Sequence, residues 1–228
     1  MEMIFLLIMA IVPGVAIALF VYYKDIEEPE PLPILLQAAF YGVLSFFIAL
    51  GIGYLLHTYA KIDDENIAHQ MIRAVIFVGF VEEAAKFLFL RGILFRSKSF
   101  TQPFDGIVYS VMIGMGFATA ENILYVINGG AGTAIVRMFT AVPAHATFAI
   151  IMGFFIGEAK VFRSSANLYS IIALFFATLA HGYYDYFLFL PFIKGMWVQA
   201  IVSLAIVVII TQVAFHIRKD EIIVHDDD

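Results

Sequence analysis

The sequence predicts an all-α protein, a polytopic membrane helix bundle of about seven transmembrane helices with a buried polar site between spans three to six. Three observations carry this prediction. First, 62% of the 228 residues are hydrophobic and only 14% are charged, and the mean hydropathy is +0.93. Soluble domains are about 45–50% apolar, even with glycine counted, and about 25% charged. A soluble fold of this size could not hide the excess from water. Second, the apolar residues gather in runs of about 20, the length that crosses roughly 30 Å of hydrocarbon. Third, the runs are continuous rather than alternating. That favours helices over a closed barrel, the other architecture that satisfies the backbone in lipid.

Seven runs meet the length requirement, and the first is Met3–Tyr23. It starts almost at Met1, with no basic segment before it, and is too long for the core of a cleavable signal peptide, so it reads as a span. An acidic, proline-rich connection, Lys24–Pro33, leads to Ile34–Leu56. The loop His57–Gln70 carries Asp63, Asp64 and Glu65 and precedes Met71–Leu90. The basic loop Arg91–Asp105 precedes Gly106–Ile127, and a glycine-rich turn, Asn128–Ala134, leads into Ile135–Gly157. Leu168–Leu190 and Met196–Phe215 complete the set, and residues 216–228 are expected to form a flexible tail ending in three aspartates. The whole chain, 1–228, reads as a single membrane domain, and no internal repeat stands out.

Lysine and arginine set the orientation of such a bundle. Lys24, Arg91, Arg96, Lys98, Lys160, Arg163, Arg218 and Lys219 fall on the side of loops one, three and five. Only Lys61, Arg73, Arg137 and Lys194 fall on the other. The N-terminus is therefore expected outside and the C-terminus in the cytoplasm. Arg137, at a span boundary, reads as a headgroup anchor. A net charge of −6 leaves no basic face for nucleic acid. The absence of cysteine excludes disulfides, thiolate metal sites and a cysteine nucleophile.

Ionisable residues inside the spans carry the functional signal. They are Glu82, Glu83 and Lys86 in the third, Glu121 (beside Asn122) in the fourth, His145 in the fifth, and His181 and Asp185 in the sixth. A carboxylate at the bilayer centre costs on the order of 2.5–3.5 kcal/mol on insertion scales, so its default reading is functional. The spacing makes the groups converge. Ala141, His145, Ala149, Gly153 and Gly157 share one helix face, as do Ala173, Ala177, His181 and Asp185, and Ser110, Gly114, Ala118 and Glu121. Small residues are what membrane helices use for close approach, so these polar groups lie on packing faces rather than on lipid faces. His181 and Asp185 are i, i+4 and can touch, as are Glu82 and Lys86. Glu82 and Glu83 are adjacent, about 100° apart on a helix, and cannot share a role. Two chemistries fit: a buried glutamate acting as general base, or a divalent metal such as zinc held by the histidines and carboxylates.

Several short motifs then resemble a known family. Glu82-Glu83-Ala84-Ala85-Lys86 is a glutamate pair followed by a basic residue, and Phe117–Asn122 reads FxxxEN. Pro143-Ala144-His145 precedes Met152-Gly153-Phe154, and His181–Asp185 reads HxxxD. Asp105–Tyr109 and Pro13-Gly14 also fit. In this order, from Pro13 to Phe187 with a core over 71–190, the motifs resemble the PrsW family of bacterial intramembrane proteases. The resemblance implies a multi-pass protein of the bacterial cell membrane. It would make the site-1 cut in a membrane-anchored anti-sigma factor, start regulated intramembrane proteolysis and release a sigma factor in a stress response. PrsW is distantly similar to type-II CAAX prenyl endopeptidases, in which a glutamate and a histidine activate water. Carried over by motif, Glu82 is the leading base, Glu83 its structural neighbour, and His181 with Asp185 binds the oxyanion or orients water. Those relatives have histidine where Glu121 stands, which keeps open a metal bound by Glu83, Glu121, His145 and His181 or Asp185.

Other readings compete. Buried acid–histidine chains also serve proton- or ion-coupled transporters, although repeats and paired broken helices are missing. A non-catalytic immunity-type relative could retain the same residues. The chain has no HExxH for a zincin-like protease and no GxSxG serine elbow. Tyr184-Asp185 resembles half of an aspartyl dyad, but no GxGD segment pairs with it.

Overall fold

A computed structural model describes residues 2–24, 29–60 and 62–190, together with 198, 201, 202, 204, 205, 208 and 209. The described residues are all-α, with no strand among them. The helices are α1 (Glu2–Lys24), α2 (Leu32–Tyr59), α3 (Ile67–Ile72), α4 (Val81–Gly92), α5 (Pro103–Phe139), α6 (Ala141–Val161) and α7 (Ala166–Leu188). Arg73–Phe80 joins α3 to α4 in π-helical turns, so residues 67–92 form one continuous helical run. The span expected over Met196–Phe215 lies for the most part outside the described residues, as does the 216–228 tail.

Among the described residues, four segments are long and apolar enough to cross a membrane: Met3–Lys24, Leu32–Tyr59, Pro103–Val161 and Arg163–Leu188. Pro103–Val161 is 59 residues long and contains both α5 and α6. The run 67–92, where the third span is expected, falls short of that measure. It carries Arg73, Glu82, Glu83, Lys86 and Arg91.

Local chemistry sets the helix starts. The Asn66 side chain accepts from the backbone N–H of Ala68 (2.9 Å) and His69 (3.3 Å), capping α3. Pro103 opens α5, where its missing N–H costs nothing. Asp105 Oδ2 accepts from the N–H of Thr101 (2.7 Å) and Gln102 (2.8 Å). These bonds move the helix start three residues ahead of the expected Gly106.

The glycine-rich turn contracts to one residue. Gly130 has φ +68°, in the left-handed region that favours glycine, and helix continues on both sides of it. On a straight helix Arg137 would lie roughly 24 Å from Glu121. Its Nη2 is instead 2.6 Å from Glu121 Oε2, so the chain reverses at Gly130 and residues 131–139 return alongside the part of α5 that precedes it.

α5 is the central helix, packed against α1, α2 and α6. Its contact with α6 is backbone to backbone. A Cβ on Gly106 would lie 2.5 Å from Gly153 O, and one on Gly153 would meet Gly106 O in turn. The small-residue stripes read from the sequence are these contacts: Ala141, His145, Ala149, Gly153 and Gly157 are all buried, as are Ala173, Ala177 and His181. Lipid gives no hydrophobic drive between helices, so this close packing is what holds the bundle and its side chains in register.

Candidate functional site

All eight residues singled out in the sequence belong to one connected network of side chains. α4 supplies Glu82, Glu83 and Lys86, because its first turns face α5 to α7. Glu83 is fully buried. Its Oε1 accepts from Lys86 Nζ at 2.7 Å and lies 2.8 Å from His181 Nδ1. Lys86 lies closer to Glu83 than to Glu82, whose Oε2 is 3.9 Å away. The Lys86 ammonium also sits 4.0 Å from the Phe117 ring centre and 3.2 Å from His145 Nδ1. An ammonium has no lone pair to offer, so His145 Nδ1 is the acceptor there. His145 Nε2–H then donates to Glu121 Oε2 at 2.9 Å.

His181 is set by the same logic. Its Nδ1–H donates to the Glu83 carboxylate, and its Nε2 faces two carboxylate oxygens, so it carries a proton toward them or a cation stands between. Nε2 lies 3.3 Å from Asp185 Oδ2 and 3.8 Å from Glu82 Oε2. The i, i+4 contact of His181 with Asp185 thus forms as the spacing predicted. Phe148 stacks on the His181 ring at 4.7 Å and walls one side of it.

The network has a closed side and an open side. Glu83, Lys86, Asn122, His145 and His181 are buried. The side chains of Glu82, Glu121 and Asp185 keep 15%, 13% and 14% exposure. Three carboxylates thus border whatever reaches the histidines, while Glu83 and Lys86 brace them from behind.

Two placements differ from the sequence expectation. Arg137 is not a headgroup anchor. The reversal at Gly130 brings it to Glu121 (Nη2 to Oε2, 2.6 Å) and Asn122 (Nε to Oδ1, 2.7 Å), with its guanidinium 4.0 Å from the Tyr125 ring centre. The metal-capable trio also differs. It is Glu82, His145 and His181, whose ligand atoms lie within 4.8 Å of one another. Glu83, counted among the candidate ligands from sequence, is occupied by Lys86 and His181. Glu121 is tied to His145 and Arg137, and Asp185 touches His181 from the side.

The trio fits a divalent metal such as zinc. One carboxylate and two imidazoles are an established catalytic donor set with room for a further ligand. Glu82 Oε2 and Glu83 Oε2 are both buried oxygens with no hydrogen-bond partner, which is unusual for carboxylates unless something else meets them, and Glu82 is the one grouped with both histidines. A carboxylate on the far nitrogen of a ligating histidine is the usual outer brace of such centres, and Glu83 stands in that position on His181. His145 would exchange its contact with Lys86 or with Glu121 for the metal.

Helices packed around a buried carboxylate–histidine cluster define a class of membrane protein that carries ionisable side chains at its centre. Comparison with known proteins gives the particular family. Residues 30–213 match the family described as PrsW family intramembrane metalloprotease. The chain is similar to Protease PrsW of Geobacillus kaustophilus, 35% identical over 78% of this chain and 77% of the relative. Protease PrsW of Bacillus subtilis is 33% identical over 82% and 88%, and that of Clostridioides difficile 32% over 90% and 86%. No solved structure matches the chain. The chain belongs to the PrsW family and is an intramembrane protease, acting on membrane protein substrates within the bilayer of a bacterial membrane.

Proposed function

We propose that this protease makes the site-1 cut in a membrane-anchored anti-sigma factor, and so releases a sigma factor. The motif resemblance supports the substrate class, and the convergence of Glu82, His145 and His181 supports the chemistry. In this proposal residues 1–228 form one membrane domain of about seven spans, with the N-terminus outside.

In this reading Glu82, His145 and His181 hold a divalent metal such as zinc, which when bound supplies a Lewis acid and an acidified water. Glu83 keeps the His181 Nδ1 proton, so that Nε2 faces the centre. Lys86 holds Glu83 in place and offers its charge to the same buried region. Asp185, partly open and with Oδ2 3.3 Å from His181 Nε2, takes the proton of the attacking water at Oδ2 and returns it to the leaving amine. Glu121 orients His145, and Asn122 lies beside it in the supporting layer. A second reading keeps Glu82 itself as the base, favoured by its partial exposure beside His181.

The test is co-reconstitution in proteoliposomes with a membrane-anchored anti-sigma factor from the same genome. Wild type cleaves it, whereas Glu82→Ala and His181→Ala lose activity to background. Equal cleavage by both variants would remove the assignment. Chelation should abolish activity and added zinc restore it, while full activity in rigorously metal-free protein selects the second reading. Proton or solute flux through wild type but not through these variants would instead select a transporter.

A further inference from the structure

We propose that Arg137 is a positioning residue of the hydrolytic site, acting through Glu121 on His145. The inference rests on the reading above that His145 belongs to the reacting centre. Arg137 lies on the short helical stretch that returns from the Gly130 reversal, and its guanidinium is held on three sides. Nη2 donates to Glu121 Oε2 at 2.6 Å, Nε donates to Asn122 Oδ1 at 2.7 Å, and the plane lies 4.0 Å from the Tyr125 ring centre. The oxygen it grips is the one that accepts from His145 Nε2 at 2.9 Å. One carboxylate oxygen therefore ties guanidinium to imidazole. With the guanidinium gone, Glu121 is free to rotate away, and His145 loses what fixes its ring on that side.

The Arg137 guanidinium contacts Glu121, Asn122 and Tyr125, and of these Glu121 is the one that touches a histidine of the centre. A lysine cannot replace it. An ammonium has neither the fork that serves two acceptors at once nor the plane that stacks on an aromatic ring.

The decisive measurement is cleavage of the reconstituted anti-sigma factor by single and paired variants. Arg137→Ala should lower kcat about 10- to 100-fold, the usual effect of removing an outer-layer partner, with KM little changed. Arg137→Lys should not recover it. Free guanidinium or ethylguanidinium should restore Arg137→Ala and leave Arg137→Lys unrestored, a response that a purely structural role would not give. In a Glu121→Gln background, Arg137→Ala should add less than about a threefold further loss, because the residues act as a unit. Wild-type kcat in Arg137→Ala, equal losses in both backgrounds, or no guanidinium rescue of a normally inserted protein would each overturn the proposal. If Arg137→Ala does not accumulate in the membrane, Arg137→Gln alone and paired with Glu121→Gln decides by the same additivity criterion. His181→Ala in the same assay separates the two claims. If it still cleaves, the reading of the site fails; if it is dead while Arg137→Ala is normal, only the Arg137 inference fails.

Discussion

Glu82 and Glu83 are neighbours in sequence and opposites in structure. Glu83 is fully buried and bonded through Oε1 to Lys86 and His181, while Glu82 keeps 15% exposure and lies 3.9 Å from Lys86 Nζ and 3.8 Å from His181 Nε2; the Oε2 of each is buried without a hydrogen-bond partner. Breaking a buried ion pair by removing one partner strands the other charge, at a cost of about 3–5 kcal/mol. Lys86→Met should therefore lower the thermal unfolding midpoint in detergent markedly. The double variant Glu83→Gln with Lys86→Met should recover most of that stability. It should not recover proteolysis, because His181 loses the carboxylate that selects its tautomer. A double variant no more stable than Lys86→Met would show that the pair is not what Lys86 serves. The difference between the two glutamates was not legible in the sequence. Adjacent residues lie about 100° apart, and the face each takes is set by packing. The π-helical turns over Arg73–Phe80, with more residues per turn than an α-helix, also offset any face extrapolated from the residues before them.

Other parts of the arrangement were readable at the level of whole helices. His145 sits in a buried stripe of alanine and glycine at four-residue spacing, and His181 follows two buried alanines at the same spacing. A stripe within one helix needs only local geometry. Arg137 needed the Gly130 reversal, which a run of glycines suggests but does not locate to one residue, so its meeting with Glu121 could not be seen from sixteen positions away. The packing of α5 on α6 makes its own prediction. A valine at Gly153 would place Cβ 2.6 Å from Ile107 Cα and against Gly106 O, forcing α6 off α5. His145 lies two turns away on the same face, so its contact with Glu121 should loosen. Gly153→Val should cut cleavage at least tenfold, on the order of the loss expected when supporting contacts fail, with the protein still inserted. Gly51→Val, where nothing lies within 4 Å of the added Cβ, should cleave as wild type does. Equal activity in the two variants would separate the α5–α6 contact from catalysis.

At the scale of the molecule, the described helices fix which connections share an end. Lys160 Nζ donates to Phe95 O at 2.9 Å, and Arg91 Nε donates to Ser170 Oγ at 2.8 Å. The loop after α4 therefore lies beside the α6–α7 connection, and both are basic. At the opposite end the Arg73 guanidinium lies 4.8 Å from the Phe189 ring centre. Asp185 is one turn from Phe189, so the open side of the carboxylate cluster is nearer this second end. Under the lysine and arginine bias the first end is cytoplasmic, and the substrate would then meet Asp185 from the outer boundary of the membrane. The chain contains no cysteine, so single introduced cysteines report on a clean background. Ser164→Cys, in the α6–α7 connection, should react with a membrane-impermeant maleimide only after cells are permeabilised. Gly132→Cys, just past the reversal, should react in intact cells. The reverse pattern would invert the bundle and place the cut on the cytoplasmic side. Reaction of both in intact cells would mean that the two ends are not separated by a bilayer at all.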